Sequence, residues 1–176
     1  DYEKTFTYYE SKDGTMVPLT YFHRKNLEIN SETPIFLYGY GGYNISIRPS
    51  FSRKYVGWLE LGGVVAIANL RGGGELGKKW HNAGRLKEKQ NVFDDFLYAS
   101  KYLEANNVGN RKSTVISGRS NGGLLVGTSL VQNPNYFGAT LPAVGVLDML
   151  RFTEFTEGWG WRGDYGSPLL SKEDFD

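Results

Sequence analysis

The sequence contains no cysteine among its 176 residues. Disulfides, thiolate metal sites and a cysteine nucleophile are therefore all excluded, and we expect a reducing, cytoplasmic setting. The chain also lacks any apolar run close to the ~18 residues that would span a bilayer, and its start, DYEKTFTYYE, has no signal-peptide core. We therefore expect no membrane partner.

An excess of charge of one sign is missing as well. The 20 basic and 19 acidic residues leave a formal net charge of +1, and no block of like charge stands out. This balance predicts no nucleic-acid partner. With 40% hydrophobic and 22% charged residues, the composition is that of a globular protein, and the length fits one domain.

Apolar segments alternate with amphipathic ones after an initial hairpin pattern. Strands are predicted at residues 5–10, 15–23, 34–40, 64–70, 113–117 and 138–144. Helices are predicted at residues 51–61, 91–106, 121–132 and around 147–153, with Asn91 as the N-cap of the second. Near-continuous apolar strands separated by helices predict a mostly parallel, doubly wound α/β sheet with an N-terminal antiparallel hairpin.

A serine lies between glycines in GRSNG, residues 118–122, which fits G-x-S-x-G. A buried strand (STVIS) precedes it and a helix (LLVGTSLVQ) follows it, as a nucleophile elbow requires. The surrounding glycines leave room for strand and helix to approach closely. The alternative is a glycine-rich turn in which Ser120 only caps the helix. We predict that Ser120 is a nucleophile.

Histidine is scarce, and a serine nucleophile needs a base. The two histidines, His23 and His81, both precede Ser120, whereas the α/β-hydrolase order is serine, acid, histidine. The neighbours of His81, Trp80 and Asn82, indicate no orienting carboxylate, so we predict a packed or surface histidine there. The residues alone leave two interpretations, an inactive enzyme or part of an active one.

A second glycine-rich stretch, GGGELGKK at residues 72–79, satisfies G-x-x-x-x-G-K. Lys79 stands where a phosphate-binding loop needs Ser or Thr, and the following WHNAG is a poor helix start. We therefore predict a glycine-rich surface loop with solvated lysines and no nucleotide cofactor.

Several ordered stretches resemble the prolyl oligopeptidase family of serine peptidases. They are DGTMVPL, LYGYGGYNIS, ANLRGGGELGKKWH, KQNVFDDF, ISGRSNGGLL, VGVLDMLRF and DYGS. The resemblance implies an α/β-hydrolase fold in which residues 1–176 form part of a peptidase catalytic domain. In the family this domain is normally joined to a β-propeller, which is absent here. No metal or other cofactor is implied.

The same resemblance implies a role for seven residues. Ser120 would be the acylating nucleophile, and the backbone N–H of Asn121 and the phenol of Tyr40 would form the oxyanion hole. Trp161 would stack on the substrate proline. The remaining walls of the apolar pocket would be Tyr43, Val146 and Tyr165. Tyr43 stands where phenylalanine is common in the family.

The resemblance further implies that the chain ends before the last strands, which should carry the catalytic Asp and His and a substrate-binding arginine. We therefore expect a peptidase that cleaves short peptides after proline when complete, and little activity from this chain alone. The expected partners are proline-containing peptides, the propeller and the C-terminal catalytic segment. The alternatives are an oligopeptidase cutting after basic residues, another α/β-hydrolase esterase, and a noncatalytic fragment that keeps a proline-recognition pocket.

Overall fold

The computed structural model describes residues 1–48 and 50–175. The chain begins with a hairpin of two antiparallel strands, β1 (Tyr2–Glu10) and β2 (Met16–Arg24). Its turn is closed by the Ser11 N–H, which donates to the Thr15 carbonyl at 2.8 Å, and Gly14 adopts a φ of 85°. The predicted hairpin is confirmed, with β1 starting three residues earlier.

Four further strands complete a six-stranded sheet in the order β1-β2-β4-β3-β5-β6. They are β3 (Ile35–Tyr38), β4 (Val64–Ala68), β5 (Thr114–Arg119) and β6 (Ala139–Ala143). β3 through β6 run parallel to one another, and β2 joins β4 antiparallel. The predicted mixed sheet is confirmed, and the parallel strands are apolar because helices cover the sheet.

Six α-helices lie in the described residues. They are α1 (Arg53–Glu60), α2 (Lys78–Asn82), α3 (Gln90–Ala105), α4 (Asn121–Gln132), α5 (Arg162–Tyr165) and α6 (Lys172–Phe175). The three predicted helices at 51–61, 91–106 and 121–132 are confirmed as α1, α3 and α4. None of these helices is long and apolar enough to cross a membrane.

Three local predictions are wrong. The helix expected around 147–153 is replaced by irregular chain and a 3-10 turn, Phe152–Glu154. Asn91 is not the N-cap of α3, because the helix begins at Gln90 and the Asn91 side chain instead donates to the Ala83 carbonyl at 3.0 Å. A short helix, α2, does form at the end of the second glycine-rich stretch, and it contains Trp80, which is buried and donates to the Leu70 carbonyl at 2.9 Å.

The main core lies between the parallel strands and α3. Val92, Phe96, Ala99 and Leu103 of α3 are fully buried and belong to one cluster with side chains of β3, β4 and β5. These residues are three or four positions apart, as expected for one face of a helix. One member of the face is charged, because Asp95 lies between Val92 and Phe96 on the buried side with an exposure of 0%.

Asp95 is neutralised by a buried arginine that follows β4. The Arg71 guanidinium is 3% exposed and donates to Asp95 through Nη2 at 2.6 Å and through Nε at 2.9 Å. The Ser11 hydroxyl donates to the same carboxylate at 2.5 Å, and Arg71 Nη1 reaches Asp13 at 2.5 Å. The hairpin turn, the loop after β4 and helix α3 are thus joined by one polar cluster.

We expect Asp13 to make stability depend on pH between about 4 and 2. The hydrogen bonds from Arg71 lower the pKa of Asp13 from 3.8 to about 2. A carboxyl whose pKa is lower in the folded state stabilises the fold above its unfolded pKa, and this contribution disappears as pH falls through the folded pKa. In urea unfolding, the difference in unfolding free energy between the wild-type protein and Asp13→Asn should therefore shrink from pH 4 to pH 2.

Glu3→Gln, which removes one carboxylate from the same hairpin, is the control for that measurement. A wild-type minus Asp13→Asn difference that stayed constant from pH 6 to pH 2 would contradict the assigned ion pair.

Candidate active site

Ser120 occupies the single residue between β5 and α4. Its φ of 58° and ψ of −117° are unusual for a residue other than glycine, which is characteristic of a strained turn that presents a side chain. Its N–H donates to the Ala143 carbonyl at 2.9 Å, and its carbonyl accepts from the N–H groups of Gly123 and Leu124. In the described chain the Ser120 side chain makes no capping bond to α4, so the hydroxyl is not used as a helix cap.

Two glycines around Ser120 are required by the close approach of the backbone. A Cβ on Gly118 would lie 2.0 Å from the Gly122 carbonyl oxygen, and a Cβ on Gly123 would lie 2.5 Å from Gly145 Cα. Any larger residue at either position would force β5, α4 and the segment after β6 apart. The sequence pattern G-x-S-x-G-G therefore reflects steric necessity at this turn.

The Tyr40 ring lies beside the serine turn, since a Cβ added to Gly122 would be 3.5 Å from Tyr40 Cδ2. Tyr40 follows β3 at the same edge of the sheet, because the parallel strands β3 and β5 both end there. Burial raises the pKa of Tyr40, while the nearby Ser120 hydroxyl lowers it by a smaller amount. The phenol therefore keeps its proton at neutral pH and remains a hydrogen-bond donor next to Ser120.

Asn121 is only 1% exposed, and its side chain joins three segments of the site. Its Nδ2 donates a short hydrogen bond to the Tyr40 carbonyl, and its Oδ1 accepts from the Tyr165 hydroxyl at 2.8 Å. Lys89 Nζ lies 3.0 Å from the same oxygen. The backbone around Ser120 is therefore fixed to the Tyr40 loop through one amide.

The predicted pocket residues come together in one apolar cluster. Tyr165 is buried with Leu124 and Phe152, and Tyr43, Val146 and Trp161 pack against them. The rings of Tyr43 and Tyr165 meet edge to face, with centroids 5.6 Å apart. A cavity of about 260 Å³ opens beside this cluster and is lined in part by Val146, Phe152, Phe155 and Trp161.

A larger cavity of about 360 Å³ lies elsewhere, beside α1. It is lined by residues of β2, β4 and α1, including Phe22, Tyr55 and Val65, and by none of the predicted site residues. The smaller cavity, by contrast, is lined by the predicted residues Val146 and Trp161, so volume alone does not identify the candidate substrate pocket.

His81 has a carboxylate partner that its sequence neighbours did not indicate. Its Nε2 lies 3.0 Å from Asp164 Oδ1, and the other oxygen of Asp164 accepts the Tyr43 N–H at 2.8 Å. Asp164 is 4% exposed. The predicted packed histidine is present, but the expectation of no orienting carboxylate is wrong because the partner is 83 residues away in sequence.

The second glycine-rich stretch differs in part from a surface loop. Lys78 and Lys79 are exposed as expected, whereas Gly72 and Gly73 are buried under the Tyr43–Ile45 segment. A Cβ on Gly73 would lie 3.0 Å from the Ile45 carbonyl oxygen. The described residues include no group of three His, Asp or Glu side chains that could hold a metal ion.

Sequence reasoning from the residues missed Lys89, Asp164 and Arg71. All three lie within stretches that carry the family resemblance, namely KQNVFDDF, DYGS and RGGGELG. Their inclusion in those stretches was the only available signal, because each acts through a partner that is distant in sequence.

The order of the strands, the parallel sheet and the strained serine turn define an α/β-hydrolase domain. Residues 49–176 match the sequence family described as the prolyl oligopeptidase family. The chain belongs to this family.

Individual relatives agree with this assignment. The chain is 47% identical over 176 residues to a prolyl endopeptidase of Elizabethkingia meningoseptica and 45% identical over 179 residues to one of Dictyostelium discoideum. Both alignments cover 100% of the chain, but only 25% and 23% of those proteins. The structure of prolyl oligopeptidase B from Galerina marginata superposes with a TM-score of 0.96 at 42% identity, covering 100% of this chain and 25% of that one. The chain thus spans about a quarter of the length of these relatives.

Proposed function

We propose that the complete protein containing this chain is a serine peptidase that hydrolyses short peptides on the carboxyl side of proline. The observation that carries the proposal is Ser120, presented on a strained turn whose next residue, Asn121, is hydrogen-bonded to the Tyr40 loop. The relatives named prolyl endopeptidase support the substrate class.

In the proposed reaction the Ser120 oxygen attacks the peptide carbonyl carbon, and a histidine base supplied by the rest of the protein takes the hydroxyl proton. The carbonyl oxygen becomes an oxyanion that accepts from the Tyr40 hydroxyl and the Asn121 N–H. The C–N bond then breaks as the histidine returns the proton to the leaving amine. Water, activated by the same base, hydrolyses the ester on Ser120 and restores the hydroxyl.

The cavity beside the Tyr165 cluster suits a proline ring. Its walls are mostly aromatic and aliphatic, and the Trp161 indole is one of them. Tyr43, Val146 and Tyr165 would complete the walls. The carboxylate among the walls of this cavity, Asp148, is already paired with Arg151 at 2.6 Å, which favours proline over the basic-residue alternative.

The organisation of the complete protein is part of the same proposal. Residues 1–176 would form one portion of the catalytic domain, with a propeller and a C-terminal segment that carries the Asp and His as partners. The cytoplasmic setting is likewise proposed from the sequence alone.

Fluorophosphonate labelling tests the nucleophile directly, because the reagent reacts with an activated serine. We expect the probe to label Ser120 of the complete protein, as located by peptide mass spectrometry, and to label the isolated chain much more slowly because the base is missing. Ser120→Ala should remove the label, whereas Ser31→Ala, at an exposed loop serine, should keep it.

Labelling that persists in Ser120→Ala would contradict the assignment. A complete protein that bound proline-containing peptides but took up no label would support the noncatalytic alternative instead.

A further inference from the structure

Lys89, immediately before α3, contacts both segments that would hold the oxyanion. Its Nζ lies 2.9 Å from the Gly41 carbonyl oxygen and 3.0 Å from Asn121 Oδ1. Gly41 directly follows Tyr40, and Asn121 directly follows Ser120. One ammonium group therefore bridges the Tyr40 loop and the serine turn.

The contact also fixes which way the Asn121 amide points. The oxygen end accepts from two donors, Lys89 and the Tyr165 hydroxyl, while the nitrogen end donates to the Tyr40 carbonyl. The two ends of an amide have nearly the same shape, so its orientation is determined by its hydrogen-bond partners. If the amide were reversed, its NH₂ group would face the Lys89 ammonium and the Tyr165 hydroxyl, and hydrogen bonds would be lost. Such a loss costs free energy in a site shielded from water.

The Tyr40 loop is held closely against this amide. A Cβ on Gly42 would lie 2.6 Å from Asn121 Nδ2, so the loop backbone has no room to move toward it. Burial lowers the pKa of Lys89 to about 8, against an opposing effect of the Asp164 charge, and the ammonium lies 5.3 Å from the centre of the Tyr165 ring. The ammonium has exchanged water for these partners.

We propose that Lys89 is a positioning residue for the oxyanion hole. Lys89 holds the Asn121 amide in one orientation, and this amide in turn holds the Tyr40 loop at a fixed position relative to Ser120. The inference rests on the proposed function, and it adds a residue that does not itself contact the substrate.

Lys89→Met in the complete protein tests the proposal, because it keeps the length of the side chain and removes the donors. A misplaced donor or nucleophile costs up to ~100-fold in rate, so we expect kcat to fall about 10- to 100-fold with KM changed by less than about twofold. Lys101→Met, at an exposed position on α3, is the matched control and should leave kcat unchanged.

A double-mutant cycle with Tyr40→Phe separates positioning from general structural damage. If Lys89 acts through the Tyr40 phenol, adding Lys89→Met to Tyr40→Phe should lower kcat by less than about threefold. An unchanged kcat in Lys89→Met, an equal fold-loss in both backgrounds, or an effect on KM alone would overturn the proposal. Should Lys89→Met fail to fold, Lys89→Gln retains one donor group and should give an intermediate loss.

A measurement that does not depend on enzymatic turnover can test the role of Lys89 separately from the proposed function. The side-chain amide of Asn121 should give one sharp pair of NMR signals in the wild-type complete protein and broadened or shifted signals in Lys89→Met. Unchanged Asn121 signals would overturn the positioning role. Absence of labelling and turnover in the wild-type complete protein would instead overturn the proposed function, and the Asn121 signals would still decide the role of Lys89.

Discussion

Ser120→Ala should lower the kcat of the complete protein toward a proline-containing peptide by about 10⁶. In the proposed mechanism the alanine removes the atom that forms the acyl bond, and leaves the Tyr40 phenol and the Asn121 N–H to stabilise only a direct attack by water. Oxyanion stabilisation and binding of this kind retain about 10³–10⁴ over the uncatalysed reaction. Steady-state hydrolysis of a chromogenic peptide measures the loss.

The binding of substrate should survive the same substitution. Trp161, Tyr43 and Val146 belong to a separate apolar cluster, which Ser120→Ala does not touch. The dissociation constant of a proline-containing peptide, measured by tryptophan fluorescence, should therefore stay within about twofold of the wild-type value. A loss in kcat below tenfold would mean that another group is the nucleophile.

Arg71→Met should lower the free energy of unfolding by about 3–5 kcal/mol, the cost of leaving one partner of a buried ion pair uncompensated. The Asp95 carboxylate is 0% exposed, and the substitution would leave it with the Ser11 hydroxyl and the backbone N–H at position 71 as donors. Urea unfolding followed by tryptophan fluorescence measures the change at pH 7.

Arg24→Met is the matched control for this prediction. Arg24 pairs with Glu60 at 2.9 Å, but the two side chains are 39% and 49% exposed, so the loss should stay below about 1 kcal/mol. Adding Asp95→Leu to Arg71→Met should restore part of the lost stability, because no buried charge then remains without a partner. Equal losses for Arg71→Met and Arg24→Met would contradict a stabilising role for the buried pair.

The parts of the fold that were predictable depend on local patterns. Near-continuous apolar strands and the 3.6-residue repeat of α3 are visible within windows of a few residues, and they gave β3, β4, β5 and α3 within a few positions. The serine turn was equally local, since the strand, the glycines and the helix lie within 113–132. The hairpin followed from its turn residues.

The errors arose where distant contacts outweigh local preference. The chain after β6 was expected to form a helix, yet Leu147 and Val146 are positioned by packing against Gly127, Leu124 and the Tyr165 region. Asp95 lies on the apolar face of α3 because it pairs with Arg71, 24 residues earlier in the sequence. His81 pairs with Asp164, 83 residues later. No local pattern encodes such pairs, so the network that supports the site could be found only in three dimensions.

The parallel direction of β3, β5 and β6 has a consequence for how selectivity can diverge. Their carboxyl ends lie at one edge of the sheet, so Tyr43, Ser120 and Val146 all sit on connections that leave the same edge. Connections tolerate substitution better than the strands that carry them. Under the proposed function, changes at positions 43 and 146 would therefore alter which substrate side chain is accepted and leave the glycines packed around Ser120 unchanged.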